Sequence, residues 1–216
     1  IKSKNFPYIT GKIACSSNFF IYKNKNLITN EHSHKVSHLL RYKNQGILTT
    51  YKTINSDNPK LNCRLNGLEK FSPIKLIIDK DLKIKINSNI IKSSKKFKTY
   101  IFHHSNNKKK MKKLKSHGVK LVKQDIKFDG YFDLNKLFKT IFNLGIQNVL
   151  VECGKDLTYK MLKSGLINEF FLFKSNNKII NREKLSILSI YRLLKFFKKK
   201  KQVKTFLDKD TLIHYY

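Results

Sequence analysis

The chain has 216 residues, 40% hydrophobic and 28% charged, enough to bury a core in one large domain or two small ones. Its apolar runs stay under about ten residues, whereas a spanning helix needs roughly twenty, so a helical bilayer-integral protein is excluded. Forty-six Lys and Arg against fourteen Asp and Glu leave a formal charge of +32, which points toward anionic partners.

In chain order, short β-like runs alternate with amphipathic helical stretches, the pattern of an α/β domain with a mostly parallel sheet. Pro7 to Cys15 reads as a first strand with Ile9 and Ile13 on one face. Asn30 can cap a helix carrying Val36, Leu39 and Leu40, and Gly46 to Thr50 follows as a short buried strand. Thr53 to Arg64 is a polar loop, and Pro73 to Asp79 and Thr99 to Phe102 are further strands. A Lys-dense helix lies between Asn106 and Gly118, before a strand from Val119 to Val122. Asp133 caps a helix with Leu134, Leu137, Phe138 and Ile141 on one stripe, and Gly145 ends it. Asn148 to Glu152 is an apolar strand with a carboxylate at its tip, then a helix runs through Leu157, Met161 and Leu162 to Gly165. A strand from Glu169 to Phe173 succeeds it. The tail holds an apolar stretch from Leu185 to Phe197, a lysine run, and two closing strands, Val203 to Leu207 and Thr211 to Tyr215, that read as a hairpin. No repeat or linker interrupts the pattern, so residues 1–216 read as one domain.

The charge is a weak guide to function. Only four cations are Arg (Arg41, Arg64, Arg182, Arg192), and the surplus Lys accompanies many Asn and Ile, residues with A/T-rich codons. Paired phosphate or base contacts favour Arg, because its planar fork matches them. The Lys108 to Lys115 and Lys198 to Lys201 clusters read as solvated faces, with nonspecific polyanion contact as the alternative. Cys15, Cys63 and Cys153 are too far apart for a zinc finger or a disulfide framework, which suits a reducing compartment. Without an initiator Met or a charged-then-apolar leader, Ile1 is expected to be a cut inside a longer chain.

Three places can carry chemistry. Open α/β sheets bind ligands at the carboxyl ends of their strands, and Glu152-Cys153-Gly154 sits at such a junction. Gly154 there lets a phosphate approach the bare N–H groups of the next helix, or is simply a turn residue. In the polar loop, Asp57 and Arg64 can converge on a sugar phosphate, although Asp57-Asn-Pro59 is also an ordinary turn composition. Arg41 can pin a phosphate or complement the negative end of its own helix. His34 and His38 have the i, i+4 spacing of zinc ligands, but no intervening Glu and no third ligand accompany them, so no metal is expected.

Taken in order, these segments resemble the reductase domain of the bifunctional riboflavin-biosynthesis deaminase/reductase family, of dihydrofolate-reductase-like fold. The resemblance is carried by Pro7 to Ser16, Leu27-Ile-Thr29, Leu39-Leu40-Arg41, Gly46 to Thr50, Thr53 with Asp57-Asn-Pro59, Leu61 to Arg64, Pro73 to Asp79, and Val149 to Gly154. It implies a three-layer domain with helices on both faces of the sheet and a C-terminal hairpin. It also implies a cytoplasmic, homodimeric enzyme that uses NADPH to reduce a phosphorylated pyrimidine ribotide, with a zinc deaminase domain upstream. By the same resemblance, Arg41 and Arg64 clamp the substrate phosphate, with Lys25 and the Leu61 backbone beside them. Glu152 touches a substrate hydroxyl and, with Asp57, stands at the reaction centre. Ala14, Leu27, Thr53, Asp57, Lys80 and Gly154 line the cofactor. The two clamp residues are Arg in a chain that otherwise uses Lys, which fits a fork that Lys cannot replace.

The chain departs from the family pattern at several points. The family's Ser-x-Asp-Gly reads Ser16-Ser-Asn18-Phe19, its Trp before Ile-Thr is Leu27, the second acid of Asp-Asp-Pro is Asn58, and the middle residue of Glu-Gly-Gly is Cys153. These changes remove a flexible Gly and an acid near the expected nicotinamide face but leave the clamp intact. The alternative of a different class is a non-catalytic or decayed basic module that binds RNA or another polyanion.

Overall fold

The computed structural model describes residues 5–22, 28–180 and 184–216. The elements in chain order are β1 (Tyr8–Cys15), β2 (Phe20–Tyr22), α1 (Glu31–Lys43), β3 (Gly46–Thr50), α2 (Tyr51–Asp57), β4 (Ile74–Ile78), α3 (Asn89–Lys92) and β5 (Thr99–His103). Then come α4 (Lys108–Ser116), β6 (Lys120–Lys123), α5 (Leu134–Asn143), β7 (Asn148–Val151), α6 (Lys155–Lys163), β8 (Glu169–Lys174), β9 (Lys184–Ser186), α7 (Leu188–Leu194), β10 (Lys200–Gln202) and β11 (Thr211–Tyr215).

The described strands form a nine-stranded sheet in the order β10-β11-β8-β1-β7-β3-β4-β5-β6, with β2 and β9 paired separately. Pairing is parallel from β8 through β6 and antiparallel where β11 joins β8 and β10 joins β11. This is the expected mostly parallel α/β sheet with closing antiparallel strands.

Successive residues of a strand point to opposite faces, so the register defines two cores. Ile9, Ile13, Leu48, Leu76, Val149 and Val151 pack on one face with Leu137, Phe138 and Ile141 of α5 and Met161 of α6. Ile47, Ile77, Leu150 and Phe173 pack on the other with Leu40 of α1 and Leu114 of α4. Gly11 in β1 is required by close approach, since a Cβ there would lie 2.4 Å from the Phe170 ring. The Asp133 cap is as expected, its carboxylate accepting the N–H groups of Asn135 and Lys136.

The structure corrects four local expectations. Thr53 to Asp57 lies on helix α2, whose N–H of Thr53 donates to the Thr50 hydroxyl at the cap. Only Ile54 of that helix is buried, so it has no apolar period to read. The first closing strand is Lys200–Gln202 rather than Val203 to Leu207, and all three of its residues are exposed. Lysine on an edge strand discourages further pairing, which suits its place at the end of the sheet. The apolar stretch from Leu185 splits between β9 and α7. Finally, α1 buries Ser33, Ser37, His38 and Leu40, whereas Leu39 is 37% exposed. Its buried hydroxyls are satisfied locally, Ser33 by Asp210 and Ser37 by the Ser33 carbonyl.

Candidate active site

The register brings a polar row to the face of the sheet under α1. Gly11 pairs with Val151, and Val151 with Leu48, so the next residues, Lys12, Glu152 and Thr49, stand side by side at the carboxyl ends of β1, β7 and β3. The Glu152 N–H still donates to the Leu48 carbonyl at 3.1 Å, which anchors the strand tip. Side chains 34, 38 and 41 of α1 share one helical face.

Arg41 spans the layer. Its Nε and Nη2 donate to the two carboxylate oxygens of Glu152, both at 2.9 Å, a bidentate pair with each side chain about seven-eighths buried. Burial alone would raise the Glu152 carboxyl, but Arg41 and then Lys12 outweigh it and hold it down to about 2. Burial lowers the Lys12 ammonium, and Glu152 partly restores it.

Arg64 is exposed, and its Nη1 donates to the Asn62 side-chain carbonyl at 3.2 Å. Burial lowers the Arg64 guanidinium, Arg41 adds to this and Glu152 opposes it; Arg41 Nη1 donates to the Asn62 carbonyl, two residues before Arg64, at 3.4 Å. His38 ties the Asn62 to Arg64 turn to α1. Its Nδ1 accepts the Arg64 N–H at 3.2 Å and lies 3.1 Å from the Asn62 carbonyl. Burial, reinforced by Arg41 and Arg64, pushes His38 down to about 4, so the ring is neutral at ordinary pH. Leu61 precedes this turn, buried and in the left-handed region at φ 50°.

The remaining expected site residues distribute as follows. Thr53 opens α2 beside the end of β3, its hydroxyl 3.3 Å from that of Thr50. Asp57 is the exposed last residue of the same helix and forms no ion pair among the described residues. Asn58 caps α2 in the left-handed region, which Asn tolerates, and its side-chain and backbone oxygens both bind Asn89 at 2.8 Å. Ala14 is half-buried on the α1 side of the sheet. Lys80, just past β4, donates to the Gly130 carbonyl at 3.1 Å. Gly154 caps α6 with no heavy atom within 4 Å of a would-be Cβ, so the bare N–H groups of that helix are approachable. Lys25 and Leu27 lie outside the described residues.

Phe19 stands in the left-handed conformation at φ 60°, so the turn that a Gly would make is kept despite the substitution. Its ring packs 4.4 Å from Tyr191, and Asn18 holds the turn by bonding Ser16 and the Ile179 backbone.

Sequence reasoning missed Lys12, His34 and Thr49 as members of this layer. The signals were there: Lys12 interrupts the buried side of a strand, and His34, His38 and Arg41 repeat at i, i+4, i+7.

The RibD C-terminal domain family matches residues 21–175. A 5-amino-6-(5-phosphoribosylamino)uracil reductase of Buchnera aphidicola is 28% identical over 179 residues, covering 78% of this chain and 83% of that protein. A riboflavin biosynthesis protein RibD of Actinobacillus pleuropneumoniae is 25% identical over 158 residues, covering 73% of this chain but only 40% of its own length. The fold of Acinetobacter baumannii RibD superposes with a TM-score of 0.78 at 18% identity, over 98% of this chain and 58% of that one. The chain belongs to the RibD C-terminal domain family.

Proposed function

We propose that the chain reduces 5-amino-6-(5-phosphoribosylamino)uracil to its ribitylamino counterpart in riboflavin biosynthesis, with NADPH as cofactor. NADPH, when bound, supplies a hydride for C1′ of the ribose; the C1′–O4′ bond opens and the sugar oxygen takes up a proton. The observation that carries this reading is the buried bidentate Arg41–Glu152 pair at the strand tips, with Lys12 on the neighbouring strand and the Arg64 turn tied to α1 through His38. Such a layer suits a ligand that combines a phosphate with hydroxyl groups.

Arg64, exposed and without a carboxylate partner among the described residues, is the primary phosphate contact, with the Leu61 backbone in the same loop; Lys25, outside the described residues, joins the clamp by the family resemblance alone. Arg41, whose Nη1 already donates one N–H to the Asn62 carbonyl at 3.4 Å, completes the clamp with the N–H groups left over while keeping Glu152 in place for a substrate hydroxyl. The N-terminus of α6 behind Gly154 receives the pyrophosphate, which its dipole favours. Ala14, Thr53, Asp57 and Lys80 line the remainder of the cofactor's path; Leu27, outside the described residues, is assigned to the cofactor by the family resemblance alone. Alignment and exclusion of water then supply much of the rate.

The free thiols accord with a reducing cytoplasm: Cys15 and Cys63 are buried, and burial pushes Cys15 and Cys153 up to about 12, where they are inert. Homodimeric assembly and a zinc deaminase domain acting ahead of this one belong to the same reading. The test is consumption of NADPH by the purified protein on addition of the deaminated ribotide. Oxidation dependent on the ribotide is expected; a folded protein that leaves NADPH intact overturns the reading. Stabilisation by polyanions alone, fading steeply with salt, would favour a binding module instead.

A further inference from the structure

We propose that His34 is an additional contact for the substrate's phosphate and that it makes this contact by taking up a proton from solvent as the substrate binds. The inference rests on the reading of the layer as a site for a phosphorylated ligand. His34 lies one turn before His38 on the face of α1 that meets the polar row. Its Nε2 is buried and has no hydrogen-bond partner among the described residues. The Thr29 backbone raises the ring's proton affinity, while Nε2, whichever tautomer the neutral ring takes, has no group to bond among the described residues.

The groups acting on the ring are Lys12 from β1, Arg41 from its own helix, Arg64 from the loop beyond α2, and the Thr29 carbonyl; none is a carboxylate. Burial and then Lys12 lower its proton affinity, with smaller contributions from the two Arg. An unpartnered ring nitrogen beside three cations is costly as it stands. A phosphate dianion reverses every sign: it neutralises the cations that repel the imidazolium, and it accepts a charge-assisted bond from protonated Nε2. The nitrogen therefore has reason to gain its proton only with the ligand in place.

The experiment is calorimetric titration of the whole chain with D-ribose 5-phosphate near neutral pH, in two buffers of different ionisation enthalpy, which reads protons taken up per ligand bound. At slightly alkaline pH the free phosphate is already a dianion, so uptake reports on the protein. Net uptake is expected for the wild type. His34→Gln should lose that uptake and bind about tenfold more weakly, with its NADPH-induced rise in melting temperature unchanged. His34→Arg, a permanent cation, should bind well with no uptake, and it keeps the test decisive if the Gln variant folds poorly. No uptake by the wild type, or equal affinity and uptake in His34→Gln, overturns the proposal. The outcomes separate from the parent reading. Uptake at His34 without NADPH consumption would leave this anion contact standing while the reductase reading falls. Turnover indifferent to position 34 would do the reverse.

Discussion

Two buried cations lie on the same side of the sheet and meet opposite fates. Arg41 reaches across the layer to Glu152 and forms two parallel hydrogen bonds at 2.9 Å. Lys75, in β4, is wholly buried, has no hydrogen-bond partner among the described residues for its ammonium, and sits 4.0 Å above the Phe97 ring. A bidentate carboxylate offsets much of the desolvation of a guanidinium, whereas a ring face offsets little for an ammonium. The contrast separates a charge kept with its counterion at a strand tip, where ligands bind, from one that the sheet merely tolerates. The buried side of α1 is mixed accordingly: Arg41 covers the charged strand tip, Leu40 packs into the apolar core, and the Ser33 hydroxyl bonds Asp210.

The largest effect should come from breaking the pair. Glu152→Gln leaves Arg41 buried without its counterion and is expected to cost about 3 kcal/mol, lowering the melting temperature by roughly 10 °C. Thermal unfolding with and without the substitution checks it. The same pair predicts acid sensitivity. Glu152 is held at about 2 in the fold against an ordinary 4.5, so its contribution is fully present above 4.5 and is lost as pH falls toward 2. The acid limb of the unfolding profile should flatten in the Gln variant.

A smaller effect of opposite sign is expected at Lys75. Burial, with Arg41 adding to it, brings Lys75 down to about 8 from 10.5. The folded value lies below the unfolded one, so the penalty is full below about 8 and disappears as pH rises toward 10.5. Lys75→Met, similar in length and apolar, should therefore raise stability at neutral pH by about 1–3 kcal/mol, with the gain shrinking in alkali. A variant that melts lower than the wild type would mean that the Phe97 contact outweighs desolvation.

What was legible in the sequence follows the same division. The strands with apolar period or continuous burial, such as Gly46–Thr50 and Thr211–Tyr215, were readable to the residue, because the hydrophobic pattern alone specifies them. Helix α2 was not, since one buried Ile54 makes no period. Strand β10 was not, because its pairing with β11 is a matter of backbone alone and its side chains all face solvent. At the site, Arg41 near a helix end, Glu152 at a strand end and Arg64 in a polar loop were visible as rare residue types. The Arg41–Glu152 bond was not, because a contact across 111 positions depends on the register of three strands. The stretch around Asp57 reads as a loop in the sequence but winds into α2, whose exposed last residue is Asp57.

The smallest effect on stability and the sharpest on function should fall at Arg64, which is exposed and whose guanidinium bonds only the Asn62 side chain among the described residues. The most direct measurement of the account is the kcat/KM of Arg64→Ala for the phosphorylated ribotide, taken beside its melting temperature. A loss of tenfold or more, about 1.5–3 kcal/mol, expressed mainly in KM with melting unchanged, is the expected result. An unaltered kcat/KM would contradict it, for the phosphate would then bind somewhere other than the layer that Arg41, Arg64 and Glu152 share.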